Sequence, residues 1–320
     1  MRPPLKASKT SRRLLLTGGL LVIAGIVAVL RQWPADPPPA AARATIAQTD
    51  PGLDLEDPQP SFALLRHVAE TGGDEVTREL AVVWLDAQAR RRVALSPSYE
   101  KWLLAMLRDG GHADWPSEFR FWIYNSAFNN LQYGNDPKAF TQLLRDLALN
   151  APERTMRLYA LQHLGLQRLG GQLADELGDQ VEADLRQLAA ATDGEVAGTA
   201  VALLTQWDGE DAPARGGSIE RALEIAEDSG RPIDVRVTAL HAAGASALPL
   251  ARRLSTDQGQ PIPVRKAAIA CIGHHGTGAD CAELEELSGE SSRLAQAADP
   301  ALRSIRHRIS NPDAPEPVPF

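Results

Sequence analysis

Five side chains able to bind a metal or carry a proton fall within eleven residues near the C-terminus: Cys271, His274, His275, Asp280 and Cys281. All are of metal-ligating type, but zinc sites use paired ligands roughly two to four residues apart on both sides, and this run does not follow that spacing. The plainer reading is a polar loop between two helices. Cys271 and Cys281 are the only cysteines, so they form the one candidate disulfide, closing a loop of nine residues. In an oxidising compartment two thiols this near in sequence can join; the alternative is a pair of unlinked small hydrophobes.

A second group is aromatic. Trp115, Phe119, Phe121, Trp122, Tyr124, Phe128 and Tyr133 supply seven of sixteen aromatic residues within nineteen positions. At helical spacing they spread over more than one side, so a single packing seam does not bury them all. Aromatics are enriched at protein interfaces, which makes Trp115, Phe119, Trp122 and Tyr124 candidate protein-binding residues, with Asn125, Asn129 and Asn130 as adaptable donors and acceptors. A thicker core where irregular N-terminal repeats pack is the plainer account of them. The third group is Arg157, Arg236 and Arg265, which hold one register in three similar segments; they either receive carboxylates from a partner or tie neighbouring segments together. The nucleophile elbow, the zinc-protease helix, the phosphate loop and the dinucleotide fingerprint are all missing, and nothing in the sequence calls for catalysis, a cofactor or a resident metal.

These residues sit on a repeat. Residues 232–244, PIDVRVTALHAAG, return 29 positions later as residues 261–273, PIPVRKAAIACIG, and a looser copy, MRLYALQHLG, occupies residues 156–165. In each copy the apolar positions fall at helical spacing, a glycine (Gly165, Gly244 or Gly273) stands where a helix C-cap is expected, and proline precedes the two better copies. The segment between, residues 245–257, predicts a partner helix. A helix pair cannot cover its own apolar face, so pairs must stack.

The two helices of this unit resemble the HEAT-like repeat of the bilin-lyase type. Ala247, Leu248 and Pro249 match its first helix, and Asp234, Val235, Arg236, Ala239, Leu240 and Gly244 match much of its second. The next copy keeps Val264, Arg265, Ala267, Ala268 and Gly273, with Pro263 in place of the acid. The resemblance is clear over residues 218–309 and fades toward the N-terminus. It implies an all-α fold, a right-handed α-solenoid of antiparallel helix pairs. The tetratricopeptide alternative, with a period of about 34, wants a Trp, Leu-Gly, Tyr pattern that is not found. About seven pairs are expected, over residues 61–91, 97–133, 136–168, 180–207, 218–244, 247–273 and 280–309, with Ser96, Asp136 and Ser218 as helix caps and a kink at Pro300.

Residues 1–13 carry five Lys or Arg and no acid, and residues 14–30 are uncharged and apolar. A helix of that length spans about 25 Å, the short end of a bilayer core, and its basic flank stays in the cytoplasm. The expectation is one transmembrane anchor in a bacterial inner membrane, a Pro/Ala-rich linker over residues 31–60, a repeat domain over residues 61–309 in the periplasm and a Pro-rich tail over residues 310–320. A cleaved signal peptide with its small-residue site at residues 40–44 is the rival, and residues 11–16 resemble a weak twin-arginine signal; both leave the domain outside the cytoplasm.

The chain has a net charge of −8, but residues 1–43 hold +6, leaving −14 for the rest. Nucleic acid and an anionic membrane surface are poor partners for such a domain, since affinity for both rests on Lys and Arg. The expected function is a scaffold for another envelope protein or peptide, bound through the concave helix face, with the membrane touched only by the N-terminal helix. Relatives of the resembled repeat attach bilins, which implies the alternative of a cofactor-handling or chaperone-like factor.

Overall fold

The computed structural model describes residues 95–108, 117–173, 175–191, 194–208 and 217–311, together with Arg78, Ala81, Val82, Leu85 and Ala89. The expected anchor and linker lie outside these residues, as do residues 312–320 of the expected tail and most of the first expected helix pair. No helix among the described residues is long and apolar enough to cross a membrane.

Twelve α-helices and no strand are found among the described residues. They are α1 (Pro97–Arg108), α2 (Ser117–Leu131), α3 (Pro137–Asn150), α4 (Arg154–Leu169), α5 (Asp175–Ala190), α6 (Ala197–Asp208), α7 (Ser218–Glu227), α8 (Ile233–Ala242), α9 (Leu248–Thr256), α10 (Ile262–His275), α11 (Cys281–Glu290) and α12 (Ser292–Ser310). The chain forms two compact units, one within Trp33–Asp184 and one within Leu185–Phe320, and the division falls inside α5.

In the first unit α3 packs on α1 and α4, and α2 packs on α1 and α4. Phe140, Leu143, Leu144 and Ala148 repeat at i, i+3, i+4 and i+8, so α3 turns one stripe inward. Phe128 and Phe140 are fully buried, with ring centroids 6.0 Å apart, and each contributes about 2–3 kcal/mol of burial. Asp136 caps α3 by accepting from the Ala139 amide at 2.8 Å, a contact worth about 1 kcal/mol. Glu100 is buried on α1 and accepts from the Asn135 amide, the Asn135 side chain and the Asp136 amide, each at 2.8 Å. The turn before α3 is thereby built around a carboxylate. Its neighbour Gly134 leaves room for it, because a Cβ there would stand 2.3 Å from Glu100 Oε1.

The second unit is a row of helix pairs. α8, α10 and α12 each pack on the helix that precedes them, α7, α9 and α11, and also on one another in sequence, with α6 at the other side of α8. Helices with neighbours on several sides need apolar residues all round, and α8 and α10 bury Val235, Ala239 and Leu240, and Val264, Ala268 and Ile272. By contrast α7 and α9, covered on one side, carry single stripes such as Leu250, Ala251 and Leu254. Contacts at both ends show that α8, α10 and α12 run the same way. Arg236 near the start of α8 reaches Gln260 just before α10, while the Cys271 thiol near the end of α10 lies 3.7 Å from the Gly244 carbonyl. Lys266 Nζ donates to Gln296 at 3.0 Å early in α10 and α12, and Arg308 late in α12 donates to the Gly273 carbonyl at 2.7 Å.

Several sequence expectations are corrected. Gly244 does end its helix region in a left-handed conformation, at φ 55°, but Gly165 and Gly273 are buried inside α4 and α10. At Gly273 the requirement is close approach: a Cβ would fall 2.8 Å from the Ala301 Cβ of α12. Ser218 is the first residue of α7, whose N-cap is Gly217 at φ 72°, so the serine does not cap. α5 begins at Asp175, five residues before the expected start. Pro300 sits inside α12, where a kink is expected, and the helix runs on to Ser310.

Gly273→Val pushes α10 from α12, where neither backbone can yield without separating the row. It is expected to cost about 1–3 kcal/mol, read as a lower urea midpoint; an unchanged midpoint would show that the close approach carries no stability.

Candidate functional site

The recurring arginines are placed by the turn between the helices of each pair, and all three make the same contact. Arg157 Nε donates to the Ala148 carbonyl at 3.0 Å, Arg236 Nε to the Ala226 carbonyl at 3.0 Å, and Arg265 Nε to the Ser255 carbonyl at 2.8 Å. Each acceptor lies in the last turn of the preceding helix, where carbonyls have no partner within their own helix and the negative end of the helix dipole favours a cation. In Arg236 and Arg265 the remaining guanidinium donors go forward along the row. Arg236 donates to Gln260 at 2.7 Å, and Arg265 grips Glu290 with two bonds of 2.7 and 2.6 Å. Arg236 and Arg265 are buried and Arg157 is half-buried. The Arg265 guanidinium holds the Glu290 carboxyl below the usual range.

The contact recurs outside the repeat register. Arg221 donates to the Ala189 and Ala190 carbonyls at the end of α5, and Arg308 to the Gly273 and Gly276 carbonyls at the end of α10. Sequence reasoning missed both because neither follows the period of 29.

The aromatic run divides. Trp115 and the Phe119 side chain lie outside the described residues. Trp122 is 43% exposed and Tyr133 37%, while Tyr124 is only 3% exposed and Phe128 fully buried. Tyr124 meets Phe128 edge-on at 6.3 Å, and burial pushes its phenol up. Tyr124 is therefore core, and Trp122 is the described candidate that faces outward. The buried side of this cluster ends in His163, whose ring lies 5.3 Å from Phe128 and 6.3 Å from Phe140. Among the described residues no partner meets His163 Nδ1. Burial lowers its pKa from 6.5 to about 4, so it stays neutral at pH 7.

The Cys271 to Cys281 region resolves into separate roles. Both cysteines are free thiols, Cys271 buried and Cys281 half-buried. Burial pushes the Cys271 thiol up to about 11, which makes it a poor nucleophile and a poor metal ligand at neutral pH. Asp280 is taken up by Arg252, at 2.7 and 3.1 Å, and by the Thr277 amide at 2.7 Å, and the Arg252 hydrogen bond holds its carboxyl below the usual range. His274 and His275 are exposed in the last turn of α10. No three His, Cys, Asp or Glu side chains gather to hold a metal among the described residues.

Neither the protein-family models, nor the curated proteins, nor the solved structures contain a match to this chain.

Two expectations follow. Tyr124→Ala should cost about 3–4 kcal/mol, whereas Trp122→Ala should cost less than about 1; equal losses in urea unfolding would show that Trp122 is part of the core. Because His163 binds its proton more weakly folded than unfolded, stability is fully present above pH 6.5 and falls as pH drops toward about 4, by about 3 kcal/mol in all. His163→Leu should remove that portion of the acid sensitivity, and an unaltered pH profile would place the sensitivity elsewhere.

Proposed function

We propose that this chain is a membrane-anchored HEAT-like repeat scaffold, a solenoid held outside the cytoplasm that binds another envelope protein or peptide and performs no catalysis. The observation that carries the reading is the arginine register: Arg236 and Arg265 recur 29 residues apart and make the same bond to the preceding helix end. That regularity is what a stack of like units requires, and stacked units present a long, stiff surface suited to recognition. The anchor rests on the apolar residues 14–30 and their basic flank. The outward-facing Trp122 is a candidate anchor on the first unit.

Cross-linking in the native membrane, followed by detergent extraction of the tagged full chain and mass spectrometry, tests this. The expected result is one protein in stoichiometric amount. A purified chain that carries a chromophore or metal and no protein partner would overturn the scaffold and favour a cofactor-handling factor.

A further inference from the structure

The same parallel row carries an uneven distribution of charge. Two of the first helices are acidic where they meet solvent, with Glu220, Glu224 and Glu227 exposed on α7 and Glu285, Glu286 and Glu290 on α11, while α9 between them holds no acid and pairs its Arg252 and Arg253 with Asp280 and Glu227. The second helices differ. On α10, Lys266, Ala270 and His274 stand at i, i+4 and i+8 on the side that reaches solvent, and on α12 the matching stripe runs Arg293, Gln296, Pro300, Arg303 and His307. The Lys266 to Gln296 hydrogen bond of 3.0 Å places the two stripes side by side. The α8 stripe ends in the exposed His241, near enough to His274 for the two imidazoles to oppose each other's charge. Among the described residues neither Arg293 nor Arg303 has a carboxylate partner. Asp234 stands on the same exposed side of α8 as His241, seven residues earlier, and Asp299 on α12 accepts from Ser288 Oγ of α11 at 2.5 Å.

We propose that the solvent face of α10 and α12 binds an extended acidic peptide segment laid across the two helices. This rests on the scaffold reading and names the chemistry of its partner. Residues 44–320 carry −14, so an acidic ligand is repelled by most of the surface and accepted where Lys266, Arg293 and Arg303 lie without a facing carboxylate; that contrast sets both the site and the orientation of approach. Packed helices lie about 8–10 Å apart, and an extended chain advances about 3.3 Å per residue. An acid at every third position therefore meets successive helices. Arg303 offers a planar fork to a carboxylate and Lys266 a mobile point charge.

The test uses the full chain in detergent and a fluorescein-labelled dodecapeptide with Glu at every third position and Val or Ser between, read by fluorescence anisotropy. The expected results are binding at low salt, weakening with added salt, no binding of the same peptide with Lys for Glu, and a loss of about tenfold or more in affinity for Lys266→Glu with Arg303→Glu. Arg253→Glu on α9, away from this face, should leave affinity unchanged. Circular dichroism melts confirm that both variants are folded. Absence of binding at low salt, or equal binding by the charge-reversed face, overturns the proposal. Preferential binding of phosphatidylglycerol vesicles, released by the same reversal, would replace the peptide with a lipid surface. A protein captured from the membrane through another face would also sink this inference while leaving the scaffold standing.

Discussion

A helix end must dispose of carbonyls that its own backbone cannot satisfy, and in this protein an arginine from the following helix does so. The arrangement ties three things at once. The Nε of Arg265 closes the end of α9, its two terminal nitrogens close on Glu290 at the end of α11, and its stem is buried at 3% exposure as α10 passes between α9 and α12. The turn within one pair and the spacing to the next are thus set by one side chain. A charge buried without such partners would be strongly destabilising, so the contact is demanding as well as stabilising. Small residues at the helix crossings, Gly273 against Ala301 above all, let α10 and α12 come close together.

This arrangement also explains how an acidic protein keeps a less acidic face. The buried arginines are consumed by backbone carbonyls and by Gln260 and Glu290. The cations Lys266, Arg293 and Arg303 stand outside that framework. The first unit contributes differently: its polar groups, Glu100 with the Asn135 turn and Thr141 with Gln167 at 2.9 Å, fasten the helices internally, and its aromatic run divides between the buried Tyr124 and Phe128 and the exposed Trp122 and Tyr133.

The helical class and the second unit were legible in the sequence because one period runs through them. Arg236 and Arg265 fall in the same place in successive helices, and identical placement produced identical bonds. What was not legible depended on partners distant in sequence. Gly273 looks like a helix end because glycine commonly is one, and only the presence of Ala301 opposite shows that it serves packing. Tyr124 and Trp122 are two residues apart on a helix whose apolar and polar residues are intermixed around every side, so no periodicity tells which faces solvent. Asp280 reads as a ligand in a run of Cys and His, yet Arg252, 28 positions earlier, claims it.

The central claim is that the recurring arginine couples one helix pair to the next, and a double-mutant cycle on Arg265 and Glu290 tests it most directly. Urea unfolding of Arg265→Ala, Glu290→Ala and the double variant yields the coupling energy. With Arg265 buried and Glu290 34% exposed, the predicted coupling is about 1–3 kcal/mol. Losses that simply add would contradict the account, since the two residues would then stabilise their own helices without joining them.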